Sequence, residues 1–222
     1  MPYKTSGGKR FMQVRTKEAQ RGGRPREFDE AEALRNMQRQ LWTTGLSGAS
    51  LDGIARSAGL NRPSLAAAFG DKNAIYAQAA AQFAAMMEAR LSEAIEIADL
   101  GTALKAAFDA AIDIYTTEGP SGCFVLCTAP AEAMTNPVCR TILGQALEAI
   151  DAFFLKRLKL EQGRMKAGPA DLAVRAAMLG ATLHSLALRA RAGWSPERLR
   201  RLAAGTIRLV IGKDIASAAR RR

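Results

Sequence analysis

Arg62 and Ser64 stand two residues apart at the opening of Asn61-Arg62-Pro63-Ser64-Leu65. Their chemistry is that of reading base edges. A guanidinium can fork onto guanine O6 and N7, and a serine hydroxyl serves either a base or a phosphate. Asn61 reads as a helix N-cap, and Pro63 fits the first turn, where its missing N–H does no harm. Ala66, Ala67 and Ala68 follow Leu65, so this helix offers only methyl groups beyond Ser64, suited to thymine methyls. Lys72, behind the candidate cap Asp71, marks another helix start, where free amides and the helix dipole favour an anion. Ser50 marks a third. Upstream, Gly22-Gly23-Arg24-Pro25-Arg26 carries Arg24 and Arg26 on a short flexible arm of the kind that enters a minor groove. The plainer reading of each of these residues is a solvated surface group.

Other chemistries find little support. The 222 residues contain one histidine, His184, and three cysteines, Cys123, Cys127 and Cys139. No nucleophile–base pair, P-loop or dinucleotide loop is present, and no Cys/His cluster has metal-ligand spacing. The expectation is therefore no catalytic residue, no metal and no cofactor. The cysteines do not form a disulfide framework and read as small buried hydrophobes.

The elements that must position Arg62 and Ser64 are helices. Ser50 caps a stretch in which Leu51, Ile54, Ala55 and Ala58 recur at helical spacing, and Gly59 stops it. Leu65 and Phe69 give the following helix its buried side. An earlier helix over 29–45 starts at Asp29 with Glu32 three residues on, the capping-box spacing, and carries Ala33, Leu34, Met37, Leu41 and Trp42. The pattern predicts a three-helix bundle over 29–69, with Leu34, Met37, Leu41, Leu51, Ile54, Ala55, Leu65 and Phe69 as its core. Its last two helices form a helix-turn-helix.

Further helices are expected from Lys72 to about Ile97, from Thr102 to Thr117, and from Cys123 to about Met134 with a kink near Pro130. Others should run from Pro137 to near Gly163, from Asp171 to about Ala192, and on through Ile211. The helix at 171–192 is apolar nearly all round, which calls for burial on more than one side.

Charge supports the same reading. Hydrophobic residues make up 48% of the chain and the formal net charge is +11, so a globular protein with a polyanionic partner is expected. The excess lies at the ends. Residues 1–70 hold 12 Lys/Arg against 6 Asp/Glu, residues 71–187 hold 10 against 13, and residues 188–222 hold 10 against 2. The N-terminus lacks an apolar signal segment and no run is long enough for a membrane span, so a cytoplasmic protein without membrane association is expected.

These residues together resemble the tetracycline-repressor (TetR) family of transcriptional regulators. The resemblance is carried by Gly23-Arg24-Pro25-Arg26, Ser50-Leu51-Asp52-Gly53-Ile54-Ala55, Ala58 to Leu65, and Phe69-Gly70-Asp71-Lys72-Asn73-Ala74-Ile75-Tyr76. It implies an all-α homodimer with a three-helix DNA-binding domain followed by a helical ligand-binding and dimerisation domain. The boundaries expected are a basic arm over 1–27, the DNA-binding domain over 28–76, the second domain over 77–212 and a basic tail over 213–222. It implies a repressor on a palindromic operator in double-stranded DNA, released by a small apolar or amphipathic effector. Arg62, Ser64, Lys72 and Ser50 fall where family members touch DNA. The pattern departs at Ala66, where the family mostly has tyrosine. Phe83, Met87, Phe108, Ile112, Tyr115, Phe124 and Met178 are candidates for an effector pocket, with Met86 and Met134 beside them. The helices over 171–192 and 195–211 are candidates for a four-helix dimer interface. The alternative is a non-specific or architectural DNA-binding protein using the same motif and basic ends.

Overall fold

The computed structural model describes residues 28–117, 119–165 and 167–216, with the side chains of the last helix described to residue 212. The expected arm, with Arg24 and Arg26, and the side chains of the expected tail lie outside the described residues.

The first three helices form as local signals dictate. In α1 (Glu30–Gly48), the Asp29 carboxylate accepts the amides of Ala31 and Glu32 at 2.8 and 3.2 Å. Ala33, Met37, Leu41 and Trp42 lie buried along one stripe. Gly45, at φ 73°, breaks the helix, and the chain beyond it folds Leu46 back into the core. In α2 (Leu51–Ser57), the Ser50 hydroxyl oxygen accepts the Gly53 amide at 3.0 Å. Gly59, at φ 68°, turns the chain into α3 (Arg62–Phe69). Asn61 Oδ1 caps that helix by accepting the Ser64 amide at 2.8 Å. Ile54, Ala55, Leu65 and Phe69 are buried. Leu51 departs from expectation: as the first residue of α2 it remains 38% exposed and contributes little to this core. Phe28 packs its ring 6.2 Å from that of Phe69, tying the entry of α1 to the end of α3.

Asp71 caps α4 (Lys72–Ile95), which packs first against α1 and then against the helices that follow. α5 (Leu100–Thr117) begins two residues before the expected Thr102, because the cap is Asp99. Its carboxylate accepts both the Thr102 amide and hydroxyl at 2.8 Å. These bonds hold Asp99 below the usual carboxylate range.

α6 (Phe124–Thr128) is shorter than the expected helix to Met134. Pro130 supplies no N–H to continue the helical ladder, so α6 ends at its cap Ala129, still in helical backbone, and 130–135 form turns. α7 (Pro137–Lys159) likewise stops before Gly163, and a single turn, α8 (Gln162–Met165), follows. α9 (Pro169–Arg191) packs against α5, α6, α7 and α10 (Pro196–Ala216).

α9 buries Leu172, Leu179, Leu183 and Leu186, but Val174, Met178 and Leu188 are 59%, 49% and 53% exposed. The expected burial on several sides is therefore incomplete in the single chain, and one apolar face is left bare. Among the described residues, all regular structure is helical, and no helix is long and apolar enough to cross a membrane.

Candidate functional site

The outer surface of α3 begins with Arg62, the first residue of the helix, with Pro63 exposed beside it and Ser64 partly so. Ala66 and Ala67 are exposed on the same helix and add only methyl groups. Asn61 commits its oxygen to the cap and keeps its amide donors. Ser50 is exposed and uses its hydroxyl oxygen as an acceptor for the cap of α2, leaving the hydroxyl proton to donate. Lys72, half-buried, is the first residue of α4, where helix amides point outward.

Sequence reasoning missed one partner here. Arg62 is ion-paired with Asp52 in the first turn of α2: Nη2 donates to Asp52 Oδ2 at 2.8 Å, and Nε faces Oδ1. The two residues are ten apart, and only the turn between α2 and α3 brings them together.

A cavity of about 460 Å³ opens between α4 and α7 and reaches α6 and α9. Phe83, Met87 and Tyr115, all expected as pocket residues, line it. Phe108 lines a separate hollow of about 280 Å³ between α5 and α10, shared with Lys105, Asp109 and Arg200. Ile112 is fully buried and lines neither, so it is core.

Phe124 stands behind the larger cavity rather than on its wall, in an aromatic cluster with Trp42, Tyr76 and Phe83 at centroid distances of 6.0, 5.3 and 6.2 Å. Met178 is a correction: it projects from the exposed face of α9, and the inward positions belong to Leu179 and Leu183. Met134 is 83% exposed, because α6 ends before reaching it. Met86 lines neither cavity.

The wall also holds Ala146, Ala149, Ile150 and Phe153 of α7. Their helical spacing marks one helix face, a signal present in the sequence but absent from the expected pocket residues. Glu88, Ser92 and Lys156 are exposed at the rim. His184 also lines the cavity; its Nε2 is buried with no hydrogen-bond partner. Burial lowers the His184 pKa, against the opposing pull of Asp151. Cys123 is on the wall too, and burial pushes its thiol up to about 12, so it is protonated near neutral pH.

α6 joins this wall to the first three helices. Val125 and Leu126 face the cavity, while Thr128 shares a 2.7 Å hydrogen bond with the hydroxyl of Tyr76. Just beyond α6, the Glu132 carboxylate accepts the Ser47 amide at 2.9 Å and the Ser47 hydroxyl at 2.8 Å. Arg191 Nη2 of α9 donates to the Trp42 carbonyl at 2.9 Å. Asn136 Nδ2 donates to Asn73 Oδ1 at 2.8 Å. None of these ties is legible in the sequence, since each joins residues far apart in the chain.

No family model matches the chain. It is 27% identical over 197 residues to the HTH-type transcriptional repressor ComR of Escherichia coli, covering 84% of this chain and 91% of that protein. Among solved structures, it is similar to a cysteine mutant of the TetR-family transcriptional regulator CifR complexed with 26-base-pair operator DNA. That match has a TM-score of 0.74 and 23% identity, and it covers 83% of this chain and 98% of that one. It is also similar to AibR in complex with isovaleryl coenzyme A and operator DNA, with a TM-score of 0.61, 18% identity, and coverage of 80% and 95%.

Proposed function

We propose that this chain, which has the fold of the TetR-family transcriptional regulators, is a dimeric, sequence-specific DNA-binding repressor that a small apolar or amphipathic molecule releases from a palindromic operator. The observation that carries this reading is one tie: the wall of the large cavity and the first three helices share α6 and the turns after it. A molecule that fills the cavity presses on Val125 and Leu126, and Thr128 and Glu132 pass the displacement to Tyr76 and Ser47. Occupancy of the cavity and of DNA would then oppose each other, a coupling that must be reciprocal.

In this reading residues 28–76 are the DNA-binding head and 77–212 the effector and dimer domain, with α4 running from one into the other. Arg62 and Ser64 touch base edges. Pro63 and Ala67 lie against the groove, and Asn61, Ser50 and Lys72 hold phosphates. Arg24 and Arg26 reach the adjacent minor groove. The bare face of α9, with Val174, Met178 and Leu188, packs against its copy together with α10, where Leu209 is 82% exposed. A two-fold pair sets the two α3 helices one DNA turn apart, as a palindrome requires. The named relatives regulate transcription, and this chain is read as a cytoplasmic regulator rather than an enzyme.

A mobility-shift assay on the chain's own promoter region tests the proposal. The native chain should prefer that DNA over a scrambled duplex, and Arg62→Ala should lose the preference. Raising salt should weaken binding steeply, because phosphate contacts release counterions. Equal affinity for both duplexes would favour the architectural alternative.

A further inference from the structure

We infer that Asp52 is a positioning residue for base reading: it holds Arg62 by one edge and leaves the other edge aimed outward for a guanine. This rests on the proposal that α3 reads DNA. Arg62 gives Nε and Nη2 to the two oxygens of Asp52, a side-on fork. A guanidinium has five N–H groups in a fixed plane, so this pairing leaves both protons of Nη1 and one of Nη2. The Nη1/Nη2 edge then presents two parallel donors, the set that matches guanine O6 and N7.

The pair also fixes a long side chain before DNA arrives. Arginine otherwise gives up substantial rotamer freedom when it orders at an interface. Asp52 is itself placed by helix physics, in the first turn of α2, where the dipole favours an acid. Ser50 caps that helix and Asn61 caps α3, so both residues of the pair sit in the first turn of a capped helix.

Stability does not account for the pair. The two side chains are 59% and 60% exposed, and exposed ion pairs contribute little to folding. Asp52 nonetheless sets an acid on the surface proposed to meet a polyanion. That placement lowers affinity for any duplex through repulsion, and orienting the reader offsets the loss only at the correct site. The expected signature is therefore of opposite sign on two duplexes: removing Asp52 strengthens binding to arbitrary DNA and weakens discrimination of the correct site.

The test begins with selection of a preferred site from random duplexes by the full-length native chain. Affinities at fixed salt are then measured for native, Arg62→Ala, Asp52→Ala and Asp52→Asn chains. The duplexes are the selected site, a scrambled one, and copies in which single guanines are replaced by 7-deazaguanine, which lacks the N7 acceptor. The native chain should lose roughly tenfold on the copy modified at the guanine read by Arg62. Asp52→Ala should lose most of that discrimination and bind the scrambled duplex more tightly. Asp52→Asn, which keeps one oxygen acceptor, should fall between. Thermal melting should be nearly unchanged in both Asp52 variants. The inference is overturned if Asp52→Ala keeps native discrimination, if it tightens equally on selected and scrambled DNA, or if no guanine depends on Arg62. A native chain without preference for its selected site would instead overturn the DNA-reading proposal, and the role of Asp52 with it.

Discussion

Ser47 and Glu132, 85 residues apart in sequence, meet in a double hydrogen bond: the Ser47 amide and hydroxyl both donate to the Glu132 carboxylate. The bond closes a loop from the end of α1, beside the helix-turn-helix, to the turns that follow α6. A charged acceptor shared by two donors is stronger than a neutral pair, though this one is exposed.

Glu132→Ala should therefore lower stability by about 1 kcal/mol. It should also speed hydrogen exchange at the Ser47 amide, which loses its acceptor. Ser47→Ala removes one donor and should leave that amide protected. Exchange at Ser47 that is unchanged in Glu132→Ala would show that the tie is not held in solution.

The contrast between Arg62 and Glu132 shows what is legible in the sequence. Caps and glycine stops are local, so Gly59, Asn61 and Pro63 mark the start of α3 and single out Arg62. Its partner Asp52 is not legible, because pairing depends on the angle between α2 and α3. The cavity shows the same division. Phe83, Met87 and Tyr115 line it as expected, while Ile112, of similar character, is solid core. Composition marks a residue as inward-facing; whether the space beside it is filled depends on how α4 and α7 lie. Periodicity misplaces Met178 for a related reason. α9 is apolar on several faces, so the pattern does not say which face meets α7 and which stays bare.

Gly122 occupies a position where a side chain meets two obstacles. Its φ is 94°, and a Cβ there would approach the Ala187 carbonyl oxygen and the Cys127 sulfur, each at 2.7 Å. Its amide donates to the Tyr115 carbonyl at 2.8 Å, which anchors the turn into α6. Gly122→Ala should cost roughly 2–4 kcal/mol, from backbone strain together with overpacking. Gly144→Ala is the control: it lies in α7, where an added methyl would meet nothing within 4 Å, and should gain up to about 1 kcal/mol. Equal melting of the two variants would contradict the close approach of α9 to this turn.

His184 gives the fold a pH dependence of definite sign. Burial lowers its pKa from the ordinary 6.5, more than the Asp151 carboxylate raises it. The unfolded chain therefore takes up a proton at a pH where the folded chain still resists it. Stability from this group is complete above 6.5 and declines as the pH falls through that value and below. His184→Gln should remove this part of the decline. Urea midpoints compared at about pH 5 and about pH 7.5 measure it: the native chain should lose more on acidification than the variant. Parallel losses would mean that His184 titrates as freely in the folded chain as in the unfolded one.

Ala149 offers the most direct test of the cavity. It lies half-buried on the α7 wall, where a phenyl group would project into the 460 Å³ space without displacing the core residues Phe154 and Leu158 from their own positions. Ala149→Phe should leave melting near its native value. Binding of an amphipathic fluorescent dye such as anilinonaphthalene sulfonate should weaken roughly tenfold, a loss of about 1.4 kcal/mol. The same dye, if it fills the cavity of the native chain, should weaken promoter binding there and fail to do so in the variant, because reciprocity requires any ligand that opposes DNA to be opposed by it. Dye binding that survives the phenyl group, with DNA binding still relieved, would place the responsive site elsewhere, with the smaller hollow around Phe108 and Arg200 the next to be filled by substitution at Ala204.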